Sequence, residues 1–154
     1  DQWLGALLIV RIFFVPSFLT FTYYQFFSDN QFVFWSNSIT KGLIDYPYEE
    51  TNTAKLIGQY LGTSANANNS FLSTGYMHAG IPGVIFYGIL VGLLFWLIDS
   101  ITSKQRIPIW IALALLIVPF ESLLLSSDLP TAILTHGIAV SLLILFLYRS
   151  KNYG

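Results

Sequence analysis

Four long apolar segments, Trp3 to Phe27, Gly80 to Ile101, Ile107 to Leu125 and Leu129 to Tyr148, leave this chain few folds to choose from. A hydrocarbon layer about 30 Å thick is crossed by about 20 mostly apolar residues in helical form. Within it each backbone polar group must be satisfied inside its own segment, which a helix achieves. The expected fold class is therefore all-α: a polytopic membrane protein of about four transmembrane helices, forming a single membrane domain over residues 1–154. Composition agrees, with 55% hydrophobic and 10% charged residues and a mean hydropathy of +0.64, where a soluble domain carries about a quarter charged residues. The net charge of −1 and the scattered Lys and Arg residues exclude a nucleic-acid surface. Without cysteine there is no disulfide, thiolate nucleophile or Cys-based metal site. The chain opens on Asp1 and is apolar by Trp3, with no initiator Met or basic leader, so it reads as a piece of a longer protein.

Orientation follows from the short connectors. Residues 102–106 are basic, as is the tail 149–154, whereas the turn 126–128 carries no cation. The positive-inside rule puts Lys104, Arg106, Arg149 and Lys151 in the cytoplasm. The turn at Asp128 and the loop 28–79 then lie on the outer face, and the spans 3–27, 80–101, 107–125 and 129–148 follow one topology. Within that loop, Asn30 to Ser38 is rich in aromatics, and Thr51 to Leu61 has the spacing of a short amphipathic helix with Thr51 or Thr53 as N-cap. Both read as interfacial elements lying on the membrane, joined by a turn at Tyr46-Pro47-Tyr48.

The candidate chemistry gathers where the loop enters the second span. Asn66, Asn68, Asn69, Ser70, Ser73, Thr74, Tyr76 and His78 crowd neutral donors and acceptors at what reads as the mouth of that span. Such a set holds hydroxyl-rich ligands, although asparagines also serve simply as turn formers. His78 is the natural acid or base there, since imidazole titrates near neutral pH. Arg11 lies inside the first apolar segment, where it either snorkels or pairs with a carboxylate elsewhere, or else grips phosphate through its planar fork. Pro16 should kink or break that helix and open a recess beside Tyr23, Tyr24 and Gln25. His136 falls in the last span, in reach of Glu121 or Asp128, but no spacing of these residues supports a metal site. Asp45, Glu49 and Glu50 read as a solvated acidic face, the alternatives being a cation ligand or a base, and Gly88 and Gly92 as a close helix-packing pair.

Taken together, Arg11-x-x-x-x-Pro16, Tyr23-Tyr24, Tyr46-Pro47-Tyr48, Asn66 to Leu72, Gly80-Ile81-Pro82-Gly83 and Ser126-Ser127-Asp128-Leu129-Pro130-Thr131 resemble the C-terminal part of a Wzy-type oligosaccharide repeat-unit polymerase. The related O-antigen ligases carry a His-Asn-x-x-Leu loop followed by Glu-x-Gly-x-x-Gly. Here Asn68 stands at that His and His78 at that Glu, a departure that favours polymerase over ligase. The resemblance implies a larger GT-C-like bundle in the bacterial cytoplasmic membrane and a glycosyltransferase that works without metal or cofactor. Its substrates would be undecaprenyl-pyrophosphate-linked oligosaccharides, and its partners a chain-length regulator and a flippase. It also implies roles: Arg11 and His78 catalytic, with Arg11 stabilising the departing pyrophosphate, and Tyr24, Asn66, Asn68, Asn69, Tyr76 and Asp128 binding substrate. A polysaccharide transporter or flippase, a ligase-like transferase and a purely structural subunit are the alternatives.

Overall fold

The computed structural model describes residue 3 and residues 9–38, 40–50 and 52–148, apart from the side chain of Ile12. The tail 149–154, the first residues of the first apolar segment and the Thr51 cap lie outside the described residues. All regular elements among the described residues are helices. A π-helical turn, Val10–Phe14, runs into α1 (Val15–Asp29). Next come α2 (Thr53–Tyr60), α3 (Phe71–Gln105), α4 (Ile109–Leu125), α5 (Leu129–Leu134) and α6 (Ile138–Leu147). One helix, α3, is long and apolar enough to cross a membrane; α4 and α6 are apolar but shorter. Large apolar side chains such as Ile85, Trp96, Trp110, Ile117 and Phe146 point outward, an amount of exposed apolar surface that water does not favour.

Several expected boundaries change, each for a local reason. Pro16 does not break the first helix: it sits in the opening turn of α1, and the ladder widens into the π turn just before it, where the missing Pro N–H leaves a carbonyl without its partner. The helical cap of α2 is Asn52, whose side chain accepts from Lys55 N–H at 3.2 Å, and not a threonine. The last apolar segment is not one continuous helix. It is divided between α5 and α6 at Thr135–Gly137, where Gly137 takes φ +97. Gly88 and Gly92 do not mediate close helix packing among the described residues, since a Cβ on either would meet nothing within 4 Å.

The largest difference lies in α3. Helical hydrogen bonding starts at Phe71, but Ala79 (φ −152, ψ 24) and Gly80 (φ +65, ψ −145) divide it into an arm, Phe71 to His78, and a long limb from Ile81. In a continuous helix Gly75 and Gly83 would stand about 12 Å apart. Here the chain bends so sharply that a Cβ on Gly83 would collide with the Gly75 carbonyl. The arm runs alongside α1 in the same direction: Asn69 and Ser73 bond to Thr20, and Tyr76 to Ser28, while Met77 and His78 meet the residues beyond the end of α1. The Asn-rich foot of this V therefore lies beside α1 at Thr20, about 14 Å before the end of that helix at 1.5 Å per residue.

Two cores hold the V in place. Phe71, Tyr87 and Val91 belong to a buried cluster with Phe120, Leu123, Leu129 and Ile138. Tyr23, Phe27, Val33, Ile57, Ala67 and Met77 belong to the other, so the segment Asn30 to Ser38 plugs the end of the arm through Val33. At the opposite end of the molecule, Gln105 Nε2–H donates to the Phe146 carbonyl at 2.9 Å and ties the basic connector to the end of α6.

Candidate functional site

A helix that stops at His78 leaves its last carbonyls without intrahelical partners, and the plug supplies the missing donors. Val33 N–H donates to the Met77 carbonyl (3.0 Å), and Phe34 N–H to the His78 carbonyl (3.1 Å). To present these groups in succession, Phe34 and Trp35 adopt left-handed backbone angles (φ +48 and +60), a conformation that costs an L residue about 1–2 kcal/mol. Trp35 N–H then donates to Nδ1 of His78 at 3.1 Å, and the indole stacks on the imidazole with centroids 4.8 Å apart. Because Nδ1 accepts, the ring proton belongs on Nε2. Nε2 faces Asp128 Oδ2 at 3.4 Å.

Asp128 collects these contacts. Its Oδ1 accepts from the Tyr87 hydroxyl (3.0 Å) and from Leu129 N–H (2.9 Å), the second of which caps α5. Trp35 Nε1–H donates to the Tyr87 hydroxyl at 2.8 Å and closes a ring of four side chains. Burial pushes the Asp128 carboxyl up, but the contact with the His78 ring, followed by hydrogen bonds from Thr74 and Tyr87, outweighs it and holds the group below the usual carboxylate range. The two members of the pair face different surroundings: His78 is fully buried, whereas the Asp128 side chain keeps 17% of its surface exposed.

That exposed side opens on a polar cavity of about 510 Å³ between α1, α2, the arm and the α4–α5 turn. Asn37, Asn52, Asn68, Ser127, Thr131 and His136 line it, with Tyr23 and Thr74. Asp128 is the formally charged side chain in this lining. One buried acceptor in the wall, Asn37 Oδ1, has no hydrogen-bond partner. A wall of amides and hydroxyls around a single carboxylate suits a neutral, hydroxyl-rich ligand. No family model, curated protein or solved structure matches this chain. The geometry must therefore carry the functional reading.

The structure brings together Asn68, Asn69, Asp128 and, behind Asp128, His78. Asn69 is 2% exposed and spends its amide on Thr20, Ser73 and Ser70 N–H, so it pins the foot of the V to α1. Asn66 is exposed and does not line the cavity. Tyr24 and Tyr76 lie outside the cavity lining and pack on each other at 4.8 Å, with the Tyr76 hydroxyl on Ser28. Arg11 is not brought to this site. It is exposed on the π turn, nine residues or about 14 Å before Thr20. His136 does share the cavity with Asp128, while Glu121 lines an apolar groove instead. Trp35 and Tyr87 are site residues that the sequence reading passed over. A lone hydroxyl in the apolar run from Ile81 was the available signal for Tyr87, since polar groups inside a span rarely face lipid.

Proposed function

We propose that this chain builds the sugar-holding part of a membrane glycosyltransferase that polymerises undecaprenyl-pyrophosphate-linked oligosaccharide repeat units on the outer face of the bacterial cytoplasmic membrane. The polar cavity around Asp128 carries the reading. Its complement is a second cavity of about 700 Å³ with an apolar lining that includes Trp35, Phe86, Tyr87, Leu90, Leu129 and Ile133. The Tyr87–Asp128 hydrogen bond and the start of α5 stand between the two. A molecule with a hydroxyl-rich head and an isoprenoid tail fits such a pair of neighbours.

In this mechanism Asp128 takes the proton of the attacking sugar hydroxyl as the hydroxyl oxygen bonds to the anomeric carbon. The bond from that carbon to the pyrophosphate oxygen breaks, and its electron pair leaves with the pyrophosphate. His78 is buried with its Nδ1 lone pair engaged, so it acts as a positioning residue that orients Asp128 and not as the base. Asn68, Asn52 and Thr131 hold sugar hydroxyls, and His136 is the lining side chain that offers a ring N–H to the leaving group. Arg11, near the inner end of α1, takes no part in bond making at this cavity and snorkels toward lipid phosphates.

The test is a complementation experiment in a strain that lacks the protein. Asp128→Asn should leave single repeat units on the lipid carrier with export intact. Full-length polymer from both Asp128→Asn and Asn68→Ala would sink the reading. A transport function is the second reading, favoured by the broken α3 and by the break between α5 and α6 beside the cavity, because transporters build midplane sites from discontinuous helices. In that case loss of the protein strands repeat units on the inner face.

A further inference from the structure

At the apex of the V, away from Asp128, lies another pocket of about 450 Å³, within the range of ligand sites. Phe32 and Phe34 form one corner, their rings edge to face at 6.1 Å and 84°. Phe34 is 45% exposed, on a residue held at φ +48. The backbone that caps the arm thus fixes Phe34 with its ring turned outward, at the wall of this pocket. Facing the rings are Asn30, Gln31 and Asp45. Asn30 donates its amide to the Phe26 carbonyl, while its Oδ1, the Gln31 side chain and the Asp45 carboxylate make no hydrogen bond or ion pair among the described residues.

We infer that this corner is a second carbohydrate subsite, in which a pyranose ring lays its C–H face on Phe34 and directs two hydroxyls to Asp45 and Gln31. The lining contains a carboxylate and no cation, so a lipid phosphate is repelled rather than bound. An aromatic face with a carboxylate and amides in reach satisfies both surfaces of a sugar: apolar C–H groups on one side, hydroxyl donors on the other. The inference deepens the glycosyltransferase reading and rests on it for its biological meaning. Phe32 packs against Gly80 and Trp35 stacks on His78, so one strip of chain, Phe32 to Trp35, borders both the subsite and the machinery around Asp128.

The experiment is saturation-transfer-difference NMR on the full protein in detergent micelles, with methyl glucoside, galactoside, mannoside and N-acetylglucosaminide as probes. Phe34→Gly deletes the ring and relieves the left-handed strain, so it removes the platform without unfolding the plug. At least one pyranoside should transfer from the wild type. Its affinity should fall about tenfold in Phe34→Gly, fall likewise in Asp45→Ala, and stay within about twofold in Phe34→Tyr, which restores the ring face. The inference is overturned if no pyranoside binds, if Phe34→Gly binds as well as the wild type, or if Phe34→Gly loses only its adhesion to phosphatidylglycerol vesicles, which makes the ring a membrane anchor. Asp128→Asn and Asn68→Ala together separate the two proposals: pyranoside binding that survives both, alongside unchanged polymer from both, retains the subsite and discards the transferase.

Discussion

Alanine at Gly80 puts the bent helix to the test. Gly80 combines φ +65 with ψ −145, a region used almost only by glycine, and a side chain held there costs about 1–3 kcal/mol. The added Cβ would also stand 3.0 Å from Phe32 Cζ and 3.6 Å from both Cε atoms. The ring must retreat by a few tenths of an ångström, yet it is pinned edge-on between Phe34 and Tyr76. Overpacking of this kind costs about 1–3 kcal/mol, so the two effects together remove about 2–6 kcal/mol from a total stability of order 5–15 kcal/mol. The assay is denaturant unfolding of the purified protein in micelles, with Gly88→Ala as control. That glycine lies in regular helix with nothing within 4 Å of a new Cβ, and alanine there should be neutral or stabilising by up to about 1 kcal/mol. Adding Phe32→Ala to Gly80→Ala removes the collision and leaves the backbone strain, which separates the two costs. If Gly80→Ala unfolds within about 0.5 kcal/mol of Gly88→Ala, the chain does not turn at this residue and the V is wrong.

Other expectations follow from the same geometry. Asn69→Ala, which removes the amide bonds to Thr20 and Ser73 and leaves Ser70 N–H without its acceptor, should destabilise by about 1–3 kcal/mol, whereas exposed Asn66→Ala should stay within about 0.5 kcal/mol in the same unfolding assay. Asp128 has its carboxyl held below the usual range, so its stabilising contribution is complete above the ordinary carboxylate value and is lost as pH falls through the folded-state value. The melting-temperature gap between wild type and Asp128→Asn should accordingly be constant from neutral pH down to about 4 and narrow below it. A gap that instead widens on acidification refutes the assignment. Because the chain has no cysteine, single-cysteine variants report topology directly. Ser64→Cys should react with an impermeant maleimide in intact cells and Ser103→Cys only after permeabilisation; the reverse pattern inverts the proposed orientation.

Much of the helical content was legible because long apolar runs admit few other states: α4 coincides with its apolar segment to within two residues. The breaks were harder to see. Gly80 and Gly137 were visible as glycines, but nothing local distinguishes a glycine that adopts φ > 0 from Gly88, which remains helical; only the tertiary partners Phe32 and Pro119 do so. The cluster Asn66 to His78 was correctly seen as dense in hydrogen-bonding groups, yet its division of labour was not. Asn68 faces the cavity, Asn69 serves the fold and His78 stands behind Asp128, assignments that depend on which way a short arm turns. Arg11 illustrates the opposite limit. A guanidinium set in an apolar run implies a cost, but that cost alone does not say which group is its partner.

The V has a further consequence, for the order in which the molecule assembles. The arm is held by partners 43, 49 and 53 residues away, Trp35 and, twice over, Thr20, whereas the helices themselves close on neighbours a turn apart. Closing loops of that length loses chain entropy before any contact repays it. Helices α1, α3, α4 and α6 can therefore be fully wound while the arm is still undocked, and such a chain has its scaffold but no cavity. The cavity around Asp128 depends on those distant contacts, so undocking of the arm removes it even while every helix is still wound.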